Sequence, residues 1–142
     1  MKLTLHHINI TGGSVPDLDK FYADVLCQGD VPEMQALPTL DDDALRVPVA
    51  FRSDGHMQFH LAEQDLELAL RHKHSINPLE KGHIAFRTDD IEAFKKHLEQ
   101  KGILYSDFGT TFTEFWHQIF FLDPAGTIIE VHQVLEGAPT DQ

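Results

Sequence analysis

Apolar and polar positions follow one another in the same order twice along the chain. Residues 3–10 (LTLHHINI) are apolar and rich in β-branched side chains, which predicts a strand. A turn-forming Gly-Gly-Ser segment leads into about a dozen residues with helical periodicity, where Ser14 or Asp17 can cap the helix and Pro16 suits its first turn. The apolar stripe of this helix consists of Leu18, Phe21, Tyr22, Val25 and Leu26.

The second half of the chain opens in the same way. Residues 82–87 (GHIAFR) predict a strand, Thr88 or Asp89 can cap the helix that follows, and Gly102 ends it. The apolar stripe of this second helix consists of Ile91, Phe94 and Leu98. Both halves therefore begin with a strand and a helix.

Three strand-like runs follow each predicted helix. They lie at about 32–37, 45–53 and 57–63 in the first half, and at about 103–108, 115–122 and 127–134 in the second half. Turn sequences separate the last two runs of each half, Asp54-Gly55 in the first and Asp123-Pro124-Ala125-Gly126 in the second. Each half is thus predicted to be β-α-β-β-β.

This repeat predicts an α+β fold in one domain over residues 1–142. Module 1 spans about 3–63, residues 64–80 form an exposed linker with a helical turn, and module 2 spans about 81–134. A unit of this size buries too little apolar surface alone, so we expect the two modules to pair. Histidines occupy the opening strands at His7 and His83, and the closing strands carry His60 and Glu130.

If a pseudo-twofold axis relates the modules, these four side chains meet inside a shared concave sheet. Imidazole and carboxylate ligands suit Fe, Ni, Zn, Mn or Co, and such a set leaves coordination positions open for catalysis. We therefore predict one divalent metal at His7, His83 and Glu130, with His60 as a fourth ligand or a close neighbour. The alternative is a structural role, because strand histidines are commonly hydrogen-bonded core residues. A carboxylate in the apolar run TIIEV is nevertheless costly to bury unless it is paired or bound to a metal.

The other histidines are weaker candidates. His6 neighbours His7 and is expected to face the opposite side of the strand. His117 and His132 lie on predicted strands and could line the pocket. Cys27, the single cysteine, excludes an intramolecular disulfide and a thiolate zinc site, and we expect a buried thiol late in the first helix.

Charge and hydropathy narrow the class of partner. The formal net charge is −12, from 23 acidic and 11 basic residues, which disfavours nucleic acid and anionic membranes as partners. No apolar run approaches the roughly 20 residues that span a bilayer. We therefore expect a cytoplasmic protein with a small-molecule substrate.

Three segments resemble the glyoxalase/bleomycin resistance/dioxygenase group of the vicinal oxygen chelate (VOC) superfamily. They are HHINI with DLDKFYADVL, then GHIAFRTDDIEAFKKHLEQKGI, and QIFFLDPAGTIIEVHQ. The resemblance implies paired βαβββ modules that form a U-shaped mixed sheet around a divalent metal, with the family ligands at His7, His83 and Glu130. His60 stands where many glyoxalase I-like members have glutamate. The resemblance also implies a homodimer, and in some members the metal site uses both chains.

The family contains several reactions, and the residues favour some of them. A lyase or isomerase like glyoxalase I, with Glu130 as the base, is the favoured hypothesis, although no clear arginine set for glutathione is present. Arg46 and Arg52 could reach an anionic substrate or form structural salt bridges. The alternative enzyme is a non-haem iron extradiol-type dioxygenase with a two-histidine, one-carboxylate set.

In the dioxygenase hypothesis, His60, His117 or Tyr105 would serve as acid or base near the metal. A third hypothesis is a metal-free protein that binds an antibiotic or metabolite in an aromatic cavity. Its walls would come from Phe59, Phe112, Phe115 and Trp116.

Overall fold

A computed structural model describes residues 1–32 and 47–139 of the chain. The elements are β1 (Leu3–Gly12), α1 (Val15–Asp24), β2 (Val49–Ser53), β3 (Gln58–Glu63), α2 (Leu68–Arg71), β4 (His83–Thr88), α3 (Ile91–Gln100), β5 (Ser106–Gly109), β6 (Trp116–Leu122) and β7 (Ile128–Val134). Within these residues, no helix is both long and apolar enough to cross a bilayer.

The described strands form one seven-stranded mixed sheet in the order β2-β3-β1-β4-β7-β6-β5. Two pairs are parallel, β1 with β3 and β4 with β7, and the other neighbours are antiparallel. The antiparallel pairing of β1 with β4 joins the two halves within one chain. This arrangement confirms the predicted α+β fold with paired modules around an open mixed sheet.

The strand register relates the two halves residue by residue. Asn9 pairs with His60 between β1 and β3, and Ala85 pairs with Glu130 between β4 and β7. Since Asn9 follows His7 by the same spacing as Ala85 follows His83, His60 and Glu130 occupy equivalent places in the two halves. The repeat found in the sequence therefore corresponds to a structural repeat.

Parts of the predicted secondary structure lie outside the described residues. These parts are nearly all of the run at 32–37 and the start of the run at 45–53, of which β2 retains Val49–Ser53. Arg46 also lies there. The run at 103–108 corresponds to β5, and residues 64–80 contain the short helix α2. This segment is not exposed throughout, because Leu68 and Leu79 are only 3% and 4% exposed.

The first helix ends earlier than its apolar pattern predicts. Ser14 caps α1 by accepting a hydrogen bond from the Asp17 amide, but the helix ends at Asp24. Val25 is consequently 60% exposed. Cys27 has a positive φ of 56° and is exposed, so the predicted buried thiol is wrong.

The second helix packs closely on the sheet. Asp90, not Thr88 or Asp89, caps α3 by accepting a hydrogen bond from the Ala93 amide. The predicted stripe of Ile91, Phe94 and Leu98 is buried against Ile119 of β6 and Val131 of β7. The helix thus covers one face of the sheet, and the opposite face of β4 and β7 is available to form a site.

Candidate metal centre

Two imidazoles and a carboxylate meet at one buried point on adjacent central strands. His7 lies on β1, His83 on β4 and Glu130 on β7, and their exposed fractions are 1%, 6% and 1%. His83 Nε2 is 3.1 Å from Glu130 Oε1, and His7 Nε2 is 3.7 Å from Glu130 Oε2. One ligand atom from each residue lies within 4.8 Å of the other two. Neighbouring ligands that each bind one ion at about 2.1 Å are separated by about 3 Å, so the group has the spacing of a metal site.

The surroundings of His83 fit a cation next to the ring. Its Nδ1 is 3.2 Å from the Pro78 carbonyl oxygen, and its Nε2 is 3.1 Å from a carboxylate oxygen of Glu130. Both oxygens can only accept hydrogen bonds, whereas a neutral imidazole carries one N–H. A neutral ring can donate to only one of these oxygens, and a cation bound to Nε2 would satisfy the contact with Glu130.

The surroundings of Glu130 favour its ionised form although the side chain is buried. Burial by itself would raise the pKa of Glu130, but His7 and the hydrogen bond from His132 hold this pKa well below its usual range. His132 Nδ1 lies 2.6 Å from Oε2, and Gln118 Nε2 donates to Oε1 at 3.4 Å. A buried carboxylate in this state is compatible with binding a divalent ion.

The His7 ring is held on its other side by His6. The expectation that His6 faces away from His7 is wrong, because a β-bulge immediately before His7 shifts the register and places their Nδ1 atoms 2.8 Å apart. Burial, followed by the charges of His132 and Arg87, lowers the pKa of His6 to about 3. A neutral His6 can accept the hydrogen bond from His7 Nδ1, and this leaves His7 Nε2 as the nitrogen available to a metal.

His60 lies against His7 but does not join the group of three. The two rings are stacked, with centroids 3.6 Å apart and an interplanar angle of 12°. A metal ion binds in the plane of an imidazole, along the nitrogen lone pair, so two stacked parallel rings cannot hold the same ion unless one rotates. One ring nitrogen of His60 instead lies within 4.8 Å of a ring nitrogen of His6 and of His7.

The hydrogen-bonding role of His60 is set by Gln58. His60 Nε2 is 2.8 Å from Gln58 Oε1, which can only accept, so Nε2 carries the proton and Nδ1 carries the lone pair. Burial, followed by the charge of His6, lowers the pKa of His60 well below its usual value. His60 is therefore a neutral imidazole next to the metal group.

A cavity with mainly apolar walls opens beside these residues. Its volume is about 70 Å³, which is room for roughly five water molecules. Phe112 and Trp116 line it, as the aromatic-cavity hypothesis expected, whereas Phe59 contacts Tyr22 of α1 instead. The full lining is His7, Asn9, Val47, Val49, Phe51, His60, Ala62, Pro78, Leu79, His83, Phe112, Thr113, Trp116, Gln118, Phe120 and Glu130.

Sequence reasoning missed several of these lining residues. Asn9 follows His7 by two positions, and Gln118 and Phe120 alternate along β6 with Trp116. Strand periodicity counted outward from His7 and Trp116 would have found them. Among the described residues, the indole Nε1 of Trp116 and Oε1 of Gln118 are buried without a hydrogen-bond partner.

Three other residues that the sequence suggested for the site do not line the cavity. His117 Nε2 is 2.8 Å from Asp107, and the Tyr105 hydroxyl donates to Glu99 at 2.7 Å. Arg52 forms salt bridges, with Asp19 at 2.6 Å and with Asp30 at 3.2 Å. These contacts support the structural alternative for these residues.

Comparison with known proteins agrees with this fold. A sequence model of the Glyoxalase/Bleomycin resistance protein/Dioxygenase superfamily matches residues 4–131. No curated protein matches the chain. A solved structure of a hypothetical protein from Bacillus halodurans C-125 is 20% identical with a TM-score of 0.66, and the match covers 99% of this chain and 100% of that chain.

Two further solved structures are methylmalonyl-CoA epimerases. The Streptomyces coelicolor protein, in complex with 2-nitronate-propionyl-CoA, is 19% identical with a TM-score of 0.64, and the match covers 94% of this chain and 99% of that chain. The Mycobacterium tuberculosis protein is 19% identical with a TM-score of 0.62, with 95% and 88% covered. Likeness at these identities shows the fold. Because the family match extends over residues 4–131, the chain belongs to the Glyoxalase/Bleomycin resistance protein/Dioxygenase superfamily.

Proposed function

We propose that this chain is a metal-dependent enzyme that acts on a small substrate with two adjacent oxygen atoms. His7, His83 and Glu130 would hold one divalent ion from the group Fe, Ni, Zn, Mn and Co. The observation that supports the proposal most strongly is the position of His83, whose two ring nitrogens both face oxygens that only accept. A bound ion satisfies Nε2 and also offsets the charge of the buried Glu130.

The remaining coordination positions would be available to the substrate. When bound, the ion polarises the two substrate oxygens and stabilises negative charge that develops on them. The cavity of about 70 Å³ next to the group suits a small molecule, and its aromatic and aliphatic walls would contact the apolar part of that molecule. Asn9 and Gln118 present amide groups to this cavity and can orient a polar substrate.

Within this class we favour proton transfer, as in a lyase or isomerase, with His60 as the base. Glu130 was the sequence candidate for that role, but its Oε2 accepts from His132 and its Oε1 faces His83 and Gln118. Both oxygens of Glu130 therefore already have fixed partners, and a bound ion would take up a further lone pair. His60 Nδ1 has a lone pair, and the ring lines the cavity beside His7. Its lowered pKa keeps this nitrogen unprotonated but also makes it a weak base, so a bound ion would have to acidify the substrate proton for His60 to accept it.

Proton exchange tests this proposal without knowledge of the natural substrate. The zinc- or nickel-loaded protein is incubated with hydroxyacetone in deuterium oxide, and NMR records exchange at the carbon next to the carbonyl. We expect exchange that requires metal and is lost in His60→Gln, whereas His117→Gln serves as a control because His117 bonds to Asp107 outside the cavity. Equal exchange in the wild type and His60→Gln would exclude His60 as the base.

A dioxygenase is the second candidate, and the three-ligand geometry supports it. Two histidines and one carboxylate with open positions are the set that non-haem iron oxygenases use. The iron(II)-loaded protein, prepared without oxygen, is mixed with catechol, and an oxygen electrode records consumption. Oxygen uptake that depends on iron would favour this reaction over proton transfer, and metal-independent binding of catechol alone would favour a sequestering protein.

A further inference from the structure

Behind Glu130, the half-buried Arg87 and the buried His132 form a chain of hydrogen bonds that ends on the Glu130 carboxylate. Arg87 Nε donates to His132 Nε2 at 3.0 Å, and His132 Nδ1 lies 2.6 Å from Glu130 Oε2. Because a guanidinium only donates, His132 Nε2 must accept, and the ring proton is therefore on Nδ1. His132 thus donates to Oε2, and both hydrogen bonds have an unambiguous direction.

Trp116 packs against both members of this pair. Its ring is stacked on His132 with centroids 4.3 Å apart and an interplanar angle of 10°, and the Arg87 guanidinium carbon lies 5.2 Å from the Trp116 ring. His132 has no exposed surface. The packing therefore prevents His132 from rotating away from the carboxylate.

The pair is present in only one of the two structural repeats. Arg87 and His132 are register partners on β4 and β7, and the equivalent register partners on β1 and β3 are Thr11 and Ala62. Ala62 has no polar side-chain atom, so Thr11 and Ala62 cannot form an equivalent hydrogen bond between their side chains. The Arg87–His132 pair therefore occurs in the half that supplies Glu130, which is where a carboxylate has to be held in position.

We propose that Arg87 and His132 are positioning residues that fix the Glu130 carboxylate for metal binding. This inference rests on the proposed function. With Oε2 held by His132, the carboxylate cannot rotate, and Oε1 stays 3.1 Å from His83 Nε2, where both can bind one ion. The positive guanidinium polarises His132 and strengthens its hydrogen bond to Oε2.

The test measures metal binding in the whole chain of 142 residues. Zinc affinity is measured by competition with a chromophoric chelator, and cobalt(II) is added separately to record its visible absorption, which reports coordination geometry. We expect His132→Ala to weaken zinc binding about 10- to 100-fold and to alter the cobalt spectrum, and Arg87→Gln to weaken binding by about tenfold. His132→Asn, whose side-chain amide can replace Nδ1 as donor, should recover most of the affinity lost in His132→Ala.

Control variants and outcomes separate this inference from the proposed function. His117→Ala should bind zinc like the wild type, because its partner Asp107 is outside the site. Thermal melting of the metal-free proteins shows whether a variant has simply lost stability. If His132→Ala does not fold, the metal affinity of Arg87→Gln tests the inference in its place.

Unchanged affinity and spectra in Arg87→Gln and His132→Ala, or equal losses in His132→Ala and His132→Asn, would overturn the positioning role while the metal site stands. A wild-type protein that binds no zinc or cobalt would overturn both proposals.

Discussion

At the scale of single residues, the orientation of each ring decides which nitrogen can bind a metal. His7 and His83 each turn one nitrogen towards Glu130 and the other towards a fixed partner, His6 or the Pro78 carbonyl. Such partners orient histidine ligands in metal proteins and select their tautomer. The group of three therefore already has the orientation that a bound cation would need.

The stacking of His60 on His7 leads to a specific prediction. Because parallel rings 3.6 Å apart cannot hold one ion, His60→Ala should keep about one metal per chain, with affinity within roughly tenfold of the wild type. Elemental analysis after equilibrium dialysis against zinc measures this. Complete loss of metal would show that His60 rotates to become a fourth ligand.

Several residues of the site follow from the sequence, and others do not. The repeat predicted His7, His83, His60 and Glu130 because equivalent strands place equivalent side chains on one face. The position of His6 was not predictable, because a bulge inserts one residue and reverses the alternation from that point. The contact between Arg87 and His132 depends on the register of two strands that are distant in sequence, and no local pattern encodes it.

At the scale of elements, the entry of the chain into β4 controls the position of His83. Gly82 has a φ of +28°, and a Cβ atom there would lie 2.4 Å from the backbone oxygen of Asn9 on β1. A side chain at this position would push β4 away from β1. The pairing of these two strands joins the two halves of the molecule.

Substitution of Gly82 tests this close approach. Gly82→Ala should lower the free energy of unfolding by more than about 2 kcal/mol, since the clash adds to the cost of a positive φ, and it should weaken metal binding by displacing His83. Gly55→Ala is the matched control, because Gly55 also has a positive φ but has open space around it, and should lose only about 1 kcal/mol. Urea denaturation measures both, and equal losses would contradict the predicted clash.

An ion pair fastens α3 to the edge of the sheet. Asp107 of β5 lies 2.8 Å from Lys95 Nζ on α3 and 2.8 Å from His117 Nε2 on β6. Burial by itself would raise the pKa of Asp107, but the hydrogen bond from Lys95 and that from the Gly109 amide lower it below its usual 3.8. The folded state therefore favours the ionised form.

This pKa shift predicts how stability depends on pH. Because the folded pKa is depressed, the stabilisation is complete above pH 3.8 and is lost as the pH falls through the lower folded pKa. Asp107→Asn should cost about 1 kcal/mol at pH 7, and the difference from the wild type should shrink towards zero near pH 2. Urea denaturation at both pH values tests this, with Glu92→Gln as a control because Glu92 contacts Lys95 from an exposed position. A difference that does not change with pH would contradict the role of the ion pair.

At the scale of the whole molecule, the two halves meet along β1 and β4, and the candidate ligands come from both halves. Alternating strands and helix stripes were enough to predict this architecture, because the same β-α-β-β-β order occurs twice. The early end of α1 was not predictable, because apolar side chains continue past Asp24 while the backbone turns. The pairing of the halves within one chain is a property of the folded molecule that the repeat alone left open.

Metal binding should therefore stabilise the entire fold. An ion held by strands from both halves binds only the folded state, so zinc at about 100 times its dissociation constant should add about 2.7 kcal/mol to the free energy of unfolding. For a chain of 142 residues this corresponds to a rise in melting temperature of roughly 5–10 °C. Glu130→Gln should show a much smaller rise in the same scan, and an equal rise would place the ion elsewhere.

The most direct measurement is the metal content of the purified protein without a histidine tag. Wild type, His7→Ala, Glu130→Ala and the control His117→Ala are dialysed to equilibrium against the same low concentration of zinc, and elemental analysis gives the metal bound per chain. We predict about one ion per chain in the wild type and in His117→Ala, and loss of most of it in the other two variants. Stoichiometric metal in both His7→Ala and Glu130→Ala, or none in the wild type, would contradict a metal centre formed by His7, His83 and Glu130.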